Sequence, residues 1–586
     1  MSSHGVTSVE VLGRLRNLRE ITLRDCDITN VDFLKGCSRL EYADVSYCET
    51  LTSLTGLRGL GKLKTLKASG TAINSIEHLA GCAALDSLNV IYCRNLSSLA
   101  GLSGLQKLKS VNASYSAIES IEHLAGCVAL ENVNVNYCKN MTSLVGLIGL
   151  EKLRTVDARG SGIESIEYLT ECVALECVDV SRCKNLMSLA GLSGLQKLHI
   201  VDADETPIDS VAWLSGCVAL ERVHVSGCEN LDSIDDLEGL PNLQMVDASH
   251  TAIESIEYLT ECVALESVNI SCCKNLLSLV GLRGLEKLKT VDASHTAIES
   301  IEYLTECVAL ESVNISCCKN LLSLVGLRGL EKLMTVDASH TAIESMEHLS
   351  GCVALESVNV NYCKNITSLF GLCGLEKLKT VGASYTAIES SSHLAECVEL
   401  EIVNVNGCKN LLSLVGLRGL QKLKTVDASH TAIESIEYLT ECVALESVNV
   451  SCCKKFTSLA GLSGLEKLRT VTASNTAIQS IERLSGCVAL ESLNVNYCKN
   501  ITSLFGLSGL EKLKTVDASH TAIESIEHLA GCVALESLNV SFCKSLASLS
   551  CLDGLPNLRS LKANGTCVPP DTQLCHCPKL KDLVLR

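Results

Sequence analysis

Apolar positions along this chain recur with two interleaved spacings. In Leu288-x-x-Val291-x-Ala293-x-x-Thr296-x-Ile298-x-x-Ile301-x-x-Leu304, the opening part alternates with period two and the remainder steps by three. Period two puts apolar side chains on one face of a strand. Steps of three suit short 3₁₀ turns, in which side chains at i and i+3 eclipse, better than long α-helices. The next stretch, Leu310-x-x-Val313-x-Ile315-x-x-Cys318-x-x-Leu321-x-x-Leu324, repeats the scheme with Cys where Thr stood. The pattern predicts one unit many times over: a short strand, a turn and a 3₁₀-like return.

The unit keeps its register along the whole chain. Val291-Asp292-Ala293-Ser294-His295 returns as Val336-Asp337-Ala338-Ser339-His340, and equivalent starts fall every 45 residues from Ile21 to Leu561 without insertion or deletion. Segments 246–290 and 291–335 differ only at Lys289 against Met334. Each 45 divides into halves of 22 and 23 residues, which makes about 26 leucine-rich repeats over residues 1–586. One such repeat cannot bury its own apolar residues, but stacked repeats bury a continuous column. The expected fold class is therefore an α/β repeat solenoid. It is a curved leucine-rich-repeat ribbon with a parallel concave β-sheet, short 3₁₀ or irregular convex segments, and no separate cap domains. At about 4.8 Å per strand its inner edge would run roughly 120 Å. The sixth position is Ala in first halves (Ala68 through Ala563, after an initial Leu23) and Val, Ile or Leu in second halves, so small and larger fillers alternate along the stack.

Composition changes what the 34 cysteines mean. The 586 residues are 47% hydrophobic but only 3% aromatic, which fits a small-aliphatic repeat core and not several ordinary globules. Twenty-five cysteines fall in two columns of period 45, one from Cys37 to Cys577 and one from Cys48 to Cys543. Column members two repeats apart stand about 10 Å from each other, whereas a disulfide needs Cα atoms within roughly 7 Å. They read as buried free thiols, and so many free thiols imply a reducing, intracellular compartment, cytoplasmic or nuclear. Cys272, Cys317 and Cys452 are expected to point outward from the strand ends. Cys575-His576-Cys577 is too closely spaced for a usual zinc pair, so neither metal nor cofactor is expected. Met1–Leu18 lacks the apolar core of a signal peptide, and no run of about 18 apolar residues suggests a membrane span.

The net charge of −18 disfavours nucleic acid as a partner. The strand positions between buried apolar residues face outward. In first halves they are Asp157, Asp202, Asp247, Asp292, Asp337, Asp427 and Asp517; in second halves they include Asn269, Asn314 and Asn359. This predicts an Asp/Asn ladder down the concave centre. Beyond a Ser/Asn row lie Tyr92, Tyr137 and Tyr362, with His250, His295 and His340. An acidic, hydrogen-bonding groove with aromatic edges suits a basic or extended protein partner. On the convex side, Glu299, Glu302 and Glu306 should lie beside Arg328, Lys332 and Lys319 of the next half as exposed ion pairs. Segment 201–245 is a diverged acidic block containing Trp213, the single tryptophan, and it is a second candidate partner site.

The 22-residue halves resemble leucine-rich repeats of the protein-phosphatase regulatory type, and the 23-residue halves resemble the cysteine-type repeats of F-box subunits. The alternation of "SHTAIESIE" and "CKNLLSL" blocks is similar to the leucine-rich-repeat proteins of trypanosomes associated with surface-antigen expression sites. That resemblance implies protein binding and, as an alternative, substrate recognition for a ubiquitin ligase. The repeat pattern already runs through Val9, Leu12, Leu15 and Leu18, leaving no place for an F-box before it, and no C-x-x-C pair supports a RING finger. A ligase role would need a separate RING or cullin-type subunit. No Ser-His-Asp arrangement, phosphate-binding Gly loop or H-E-x-x-H motif appears. The expected function is a non-enzymatic intracellular scaffold that binds protein, not nucleic acid or membrane. Its oligomeric state is open.

Overall fold

The computed structural model describes residues 12 and 14–585; Val9 lies outside the described residues. The chain divides into two compact units, Met1–Ala297 and Ile298–Arg586. The first unit carries thirteen three-residue strands, β1 (Glu20–Thr22) to β13 (Thr290–Asp292). Each pairs in parallel with its neighbours in chain order, with equivalent positions opposite one another: Met245, Val246 and Asp247 face Ser267, Val268 and Asn269. The second unit repeats this from β14 (Ser312–Asn314) to β26 (Asp582–Val584), with Thr335, Val336 and Asp337 opposite Ser357, Val358 and Asn359. No α-helix occurs among the described residues; the returns are 3₁₀ turns of three to five residues, such as Glu257–Glu261 and Val415–Leu417.

The sequence explains each piece of the coil. Val268 and Ile270, like Val291 and Ala293, point inward from the strand and are buried, as are the turn residues that step by three, Ile256, Leu259, Cys262 and Leu265. Such a core tolerates little aromatic volume; Phe456 is fully buried where other repeats use Leu, Ile or Met. A side-chain oxygen two residues ahead of the 3₁₀ turns accepts a hydrogen bond from the turn's first backbone N–H: Asn30 takes it from Asp32 in the first turn, and Ser does so in the later ones, as Ser255 does from Glu257 and Ser413 from Val415. This local bond starts the turn where Ser favours it.

Two residue choices hold one repeat to the next. In first halves Thr251 donates to the Ala248 carbonyl at 2.7 Å, and Cys273 of the following repeat donates its thiol to that same carbonyl at 3.2 Å. Thr431, Ala428 and Cys453 repeat the arrangement in the second unit. The other cysteine column does likewise, Cys262 to the Leu237 carbonyl and Cys442 to the Leu417 carbonyl. No cysteine is in a disulfide, and burial pushes thiols such as Cys82, Cys172 and Cys442 up to about 11. Cys therefore serves as a small apolar filler that also satisfies a backbone acceptor. Cys272, Cys317 and Cys452, expected to point outward, are half-buried.

Glycine in the Leu-x-Gly-Leu step has a packing role that periodicity does not show. A Cβ on Gly281 would lie 1.6 Å from the Ile256 carbonyl oxygen, and one on Gly461 would lie 1.8 Å from that of Ile436. These contacts are backbone against backbone, so at these two places a side chain forces the turns of adjacent repeats apart; in the turns Asp235–Leu237 and Ser550–Leu552 the equivalent place is held by Asp236 and by Cys551, which donates its thiol to the Ile526 carbonyl at 3.2 Å.

Candidate functional site

The open face of each sheet is built from the middle row of outward strand residues. Asp247 accepts from the Ser249 backbone N–H at 3.1 Å and from its hydroxyl at 2.7 Å through Oδ1, while its Oδ2 takes the Asn269 side-chain amide at 3.0 Å. Asp337 does the same with Ser339 and Asn359. Asp292, Asp427 and Asp517 cap Ser294, Ser429 and Ser519 in the same way, and Asn314 accepts from the Ser316 N–H. The ladder, expected to face outward, is half-buried and engaged in hydrogen bonds. Each carboxylate organises the strand end and leaves its charge at the surface. Gly382 interrupts the ladder in the second unit, over a shallow hollow bordered by Asp337, Asn359, Asn404 and Ile402.

The ladder is most acidic between β7 (Thr155–Asp157) and β11 (Met245–Asp247). Register puts Asp157, Asp179, Asp202, His224 and Asp247 on five consecutive strands. Asp179 is a site residue that the periodic reading passed over, because Asn holds that place in most second halves; the signal was the departure itself. Burial pushes Asp157 and Asp202 up from the ordinary carboxylate range. Asp204, partly buried and beside Asp202, is pushed up to about 6. Arg159 is paired with Asp179, and Asp204 also accepts the Ser226 N–H at 2.7 Å. Among the described residues no group of three or more His, Cys, Asp or Glu side chains is placed to hold a metal ion. Trp213 does not join this cluster. It lies in the 3₁₀ turn Ala212–Leu214, exposed, between buried Val211 and Leu214.

Beyond the strand end each repeat has one residue in the left-handed region. These include Tyr92 (φ 59°), Tyr137 (φ 55°), His250 (φ 56°), His295 (φ 58°), His340 (φ 57°) and Tyr362 (φ 64°). Bulky side chains at positive φ are uncommon, and here they form a rim. In the first unit Tyr92, Tyr115 and Tyr137 stack with centroids 4.7 Å apart at each step. In the second, His340, Tyr362 and Tyr385 stack at 4.4 and 4.8 Å, and Tyr497, His520 and Phe542 at 4.1 and 4.4 Å. Tyr115, Tyr385 and Phe542 complete these stacks and were not singled out from sequence. Glycine ends them: the rings of Tyr137 and Tyr385 lean over Gly160 and Gly407 where a Cβ would sit.

The ion pairs lie elsewhere than expected. The close ones form at the start of the strands, where Lys or Arg alternates with Glu from one repeat to the next. Lys64 meets Glu41 at 2.6 Å, Lys379 meets Glu356 at 2.8 Å and Lys424 meets Glu401 at 2.7 Å. The anticipated turn-side pairing is represented by Arg418 and Glu441 at 3.9 Å. All are exposed, so water and salt screen them and they contribute little to stability.

No protein-family model matches the chain, and no curated protein matches it. Solved structures do. The plant peptide hormone receptor RGFR1 in complex with RGF2 is 17% identical, with 94% of this chain and 92% of that one covered and a TM-score of 0.60. The TLR13–ssRNA13 complex is 16% identical, covering 94% and 82%, with a TM-score of 0.51. The functional domain of InlJ from Listeria monocytogenes is 17% identical over 64% of this chain and 75% of that one, with a TM-score of 0.49. At these identities the likeness to the first two establishes the fold alone: the chain is a leucine-rich-repeat solenoid. No helix among the described residues is long and apolar enough to cross a membrane.

Proposed function

We propose that the chain is a non-enzymatic intracellular scaffold that captures a basic or extended protein partner on the open face of its sheet. The observation that carries this reading is the engaged Asp/Asn ladder. Each carboxylate accepts the backbone N–H two residues on, from Ser at Asp247 and Asp337 and from Arg159 and Asp204 at Asp157 and Asp202, and several also take a Ser hydroxyl and an Asn amide. The charges therefore sit at fixed intervals without an ordering cost on binding. The acidic rungs Asp157, Asp179, Asp202 and Asp247 supply the strongest field for a cationic segment. Thiols kept free and donating to backbone carbonyls support a reducing compartment. The similar structures include a peptide hormone receptor with its ligand, which supports protein or peptide binding as the use of this fold. The ubiquitin-ligase alternative and the trypanosome resemblance rest on repeat sequence alone.

The test replaces Asp247, Asp292 and Asp337 together by Asn. The side-chain Oδ1 acceptor is retained, as it is at Asn269 and Asn359, where it already takes the N–H two residues on. Capture of native partners by affinity purification should be lost while the fold is kept. Undiminished capture by the folded triple variant would reject the ladder as the contact surface.

A further inference from the structure

We propose that the stacked rim is a second binding surface, a shelf for an acidic peptide segment in the polyproline II conformation with a carboxylate at every third residue. The inference rests on the reading of the chain as a protein-binding module, but it uses a surface distinct from the Asp ladder and a ligand of opposite charge.

The same shelf is built once in each unit. In the first, Tyr92, Tyr115 and Tyr137 form a wall above Ala117, with Arg94 and Lys139 at the two ends. In the second, Tyr497, His520 and Phe542 stand above Ala522, with Lys499 and Lys544 at the ends. The cause is the alternation of halves. Most second halves follow the column cysteine with Lys or Arg (Glu49 and Glu229 are exceptions), and most first halves follow Thr or Ser with Ala, so at these two shelves two cations flank one methyl group. Among the described residues no ion pair takes the side chains of Arg94, Lys139, Lys499 or Lys544.

Ring orientation selects the charge of the ligand. The rings within a stack face one another, at interplanar angles of 9° and 15° in the Tyr497–His520–Phe542 set and 27° and 18° in the Tyr92–Tyr115–Tyr137 set. Their faces are taken up by one another, so the shelf sees ring edges, which carry the positive end of the aromatic quadrupole. Positive edges and unpaired ammonium or guanidinium groups together favour a carboxylate. A single-stranded nucleic acid would need open ring faces for its bases.

Spacing selects the conformation. The two cations of a shelf are two rungs apart, and rungs of 4.7 Å in one stack and 4.1 and 4.4 Å in the other put that interval at about 9 Å. A polyproline II segment rises about 3.1 Å per residue with three residues per turn, so every third side chain returns to the same side after about 9.3 Å. Same-side residues of a β-strand recur after about 6.7 Å and would fall out of step. Polyproline II segments also pay little ordering entropy when they dock on aromatic surfaces.

The experiment is fluorescence polarisation with the full chain and labelled twelve-residue peptides of identical composition. One has Glu at every third position and Pro between; the other has the four Glu residues contiguous. A twelve-nucleotide oligothymidylate is the third probe. The period-three peptide should bind at least tenfold more tightly than the contiguous one. Exchanging Arg94, Lys139, Lys499 and Lys544 for Gln should weaken it at least tenfold, with melting and capture through the Asp ladder unchanged. Exchanging Lys62, Lys152, Lys467 and Lys512 for Gln, which removes the same charge elsewhere, should change binding less than twofold. Equal affinity for the two peptides, equal losses in the two variants, or tighter binding of the oligothymidylate would overturn the proposal. Retained ladder capture in a shelf variant that has lost the peptide separates failure of one surface from failure of the other.

Discussion

Asp337 offers a quantitative test of what the ladder does. Its carboxylate accepts from the Ser339 N–H at 2.9 Å, from the Ser339 hydroxyl and from the Asn359 amide at 2.9 Å. Ser339 is buried, at 8% exposure, so water cannot easily replace the lost acceptor. Asp337→Ala leaves three donors without their partner. With unsatisfied buried groups costing about 1–3 kcal/mol each, and with the half-exposed Asn359 resolvated, the expected loss is about 3 kcal/mol. Asp337→Asn keeps Oδ1 for Ser339 and forfeits the charge and the Asn359 bond, for a loss of about 1 kcal/mol. Long repeat arrays open locally, so the assay is amide exchange at Ser339. Exchange should speed up by roughly a hundredfold in the Ala variant and roughly fivefold in the Asn variant, at about 1.4 kcal/mol per decade. Equal exchange in the two variants would refute the capping role and return the ladder to a row of solvated charges.

Three further outcomes follow from the packing and the charges. Gly281→Ala should destabilise the first unit by about 2–4 kcal/mol in urea titration, because its Cβ would stand 1.6 Å from the Ile256 carbonyl oxygen, whereas Gly61→Ala, with its nearest atom at 4.0 Å, should be neutral or slightly stabilising. Asp204 titrates near 6 in the folded chain against about 3.8 ordinarily. The folded state thus binds the proton more tightly, and the carboxyl weakens the fold above pH 6 while ceasing to do so near pH 4. Asp204→Asn should therefore stabilise by about 1 kcal/mol at pH 7.5, a value reduced for solvent screening of a part-exposed group, and by nothing at pH 4 in thermal melts. With iodoacetamide under native conditions, exposed Cys373, Cys567 and Cys575 should label first, and buried thiols such as Cys82 and Cys352, pushed up to about 11, only on unfolding; mass spectrometry reads the order.

Much of the coil is legible in the chain because apolar periodicity and burial are the same fact in a repeat protein. The strand at Val291, the 3₁₀ steps through Ile301 and Leu304 and the buried cysteine columns all follow from spacing. What spacing does not carry is backbone conformation and side-chain direction. Nothing in the letters places Tyr362 at φ 64°, and without that the rings at 340, 362 and 385 do not read as one stack. The glycine of Leu-x-Gly-Leu looks like a loop residue until the Ile carbonyl of the previous repeat is beside it. Trp213 and the carboxylates of Asp202 and Asp204 share a segment of sequence, but the coil puts the tryptophan in a turn and the acids on the sheet. The charge alternation of Lys64 and Glu41 was readable, since the position after the first leucine of a repeat switches between Lys or Arg and Glu along most of the chain.

Covalent footprinting of the partner-bound chain tests the central claim, that the open sheet face receives the partner. Carbodiimide labelling of Asp247, Asp337 and Asp427 should fall at least fivefold in the complex, with Asp236, exposed in its turn, labelled as in the free chain. Protection of Asp236 with unchanged labelling at Asp247, Asp337 and Asp427 would contradict the account.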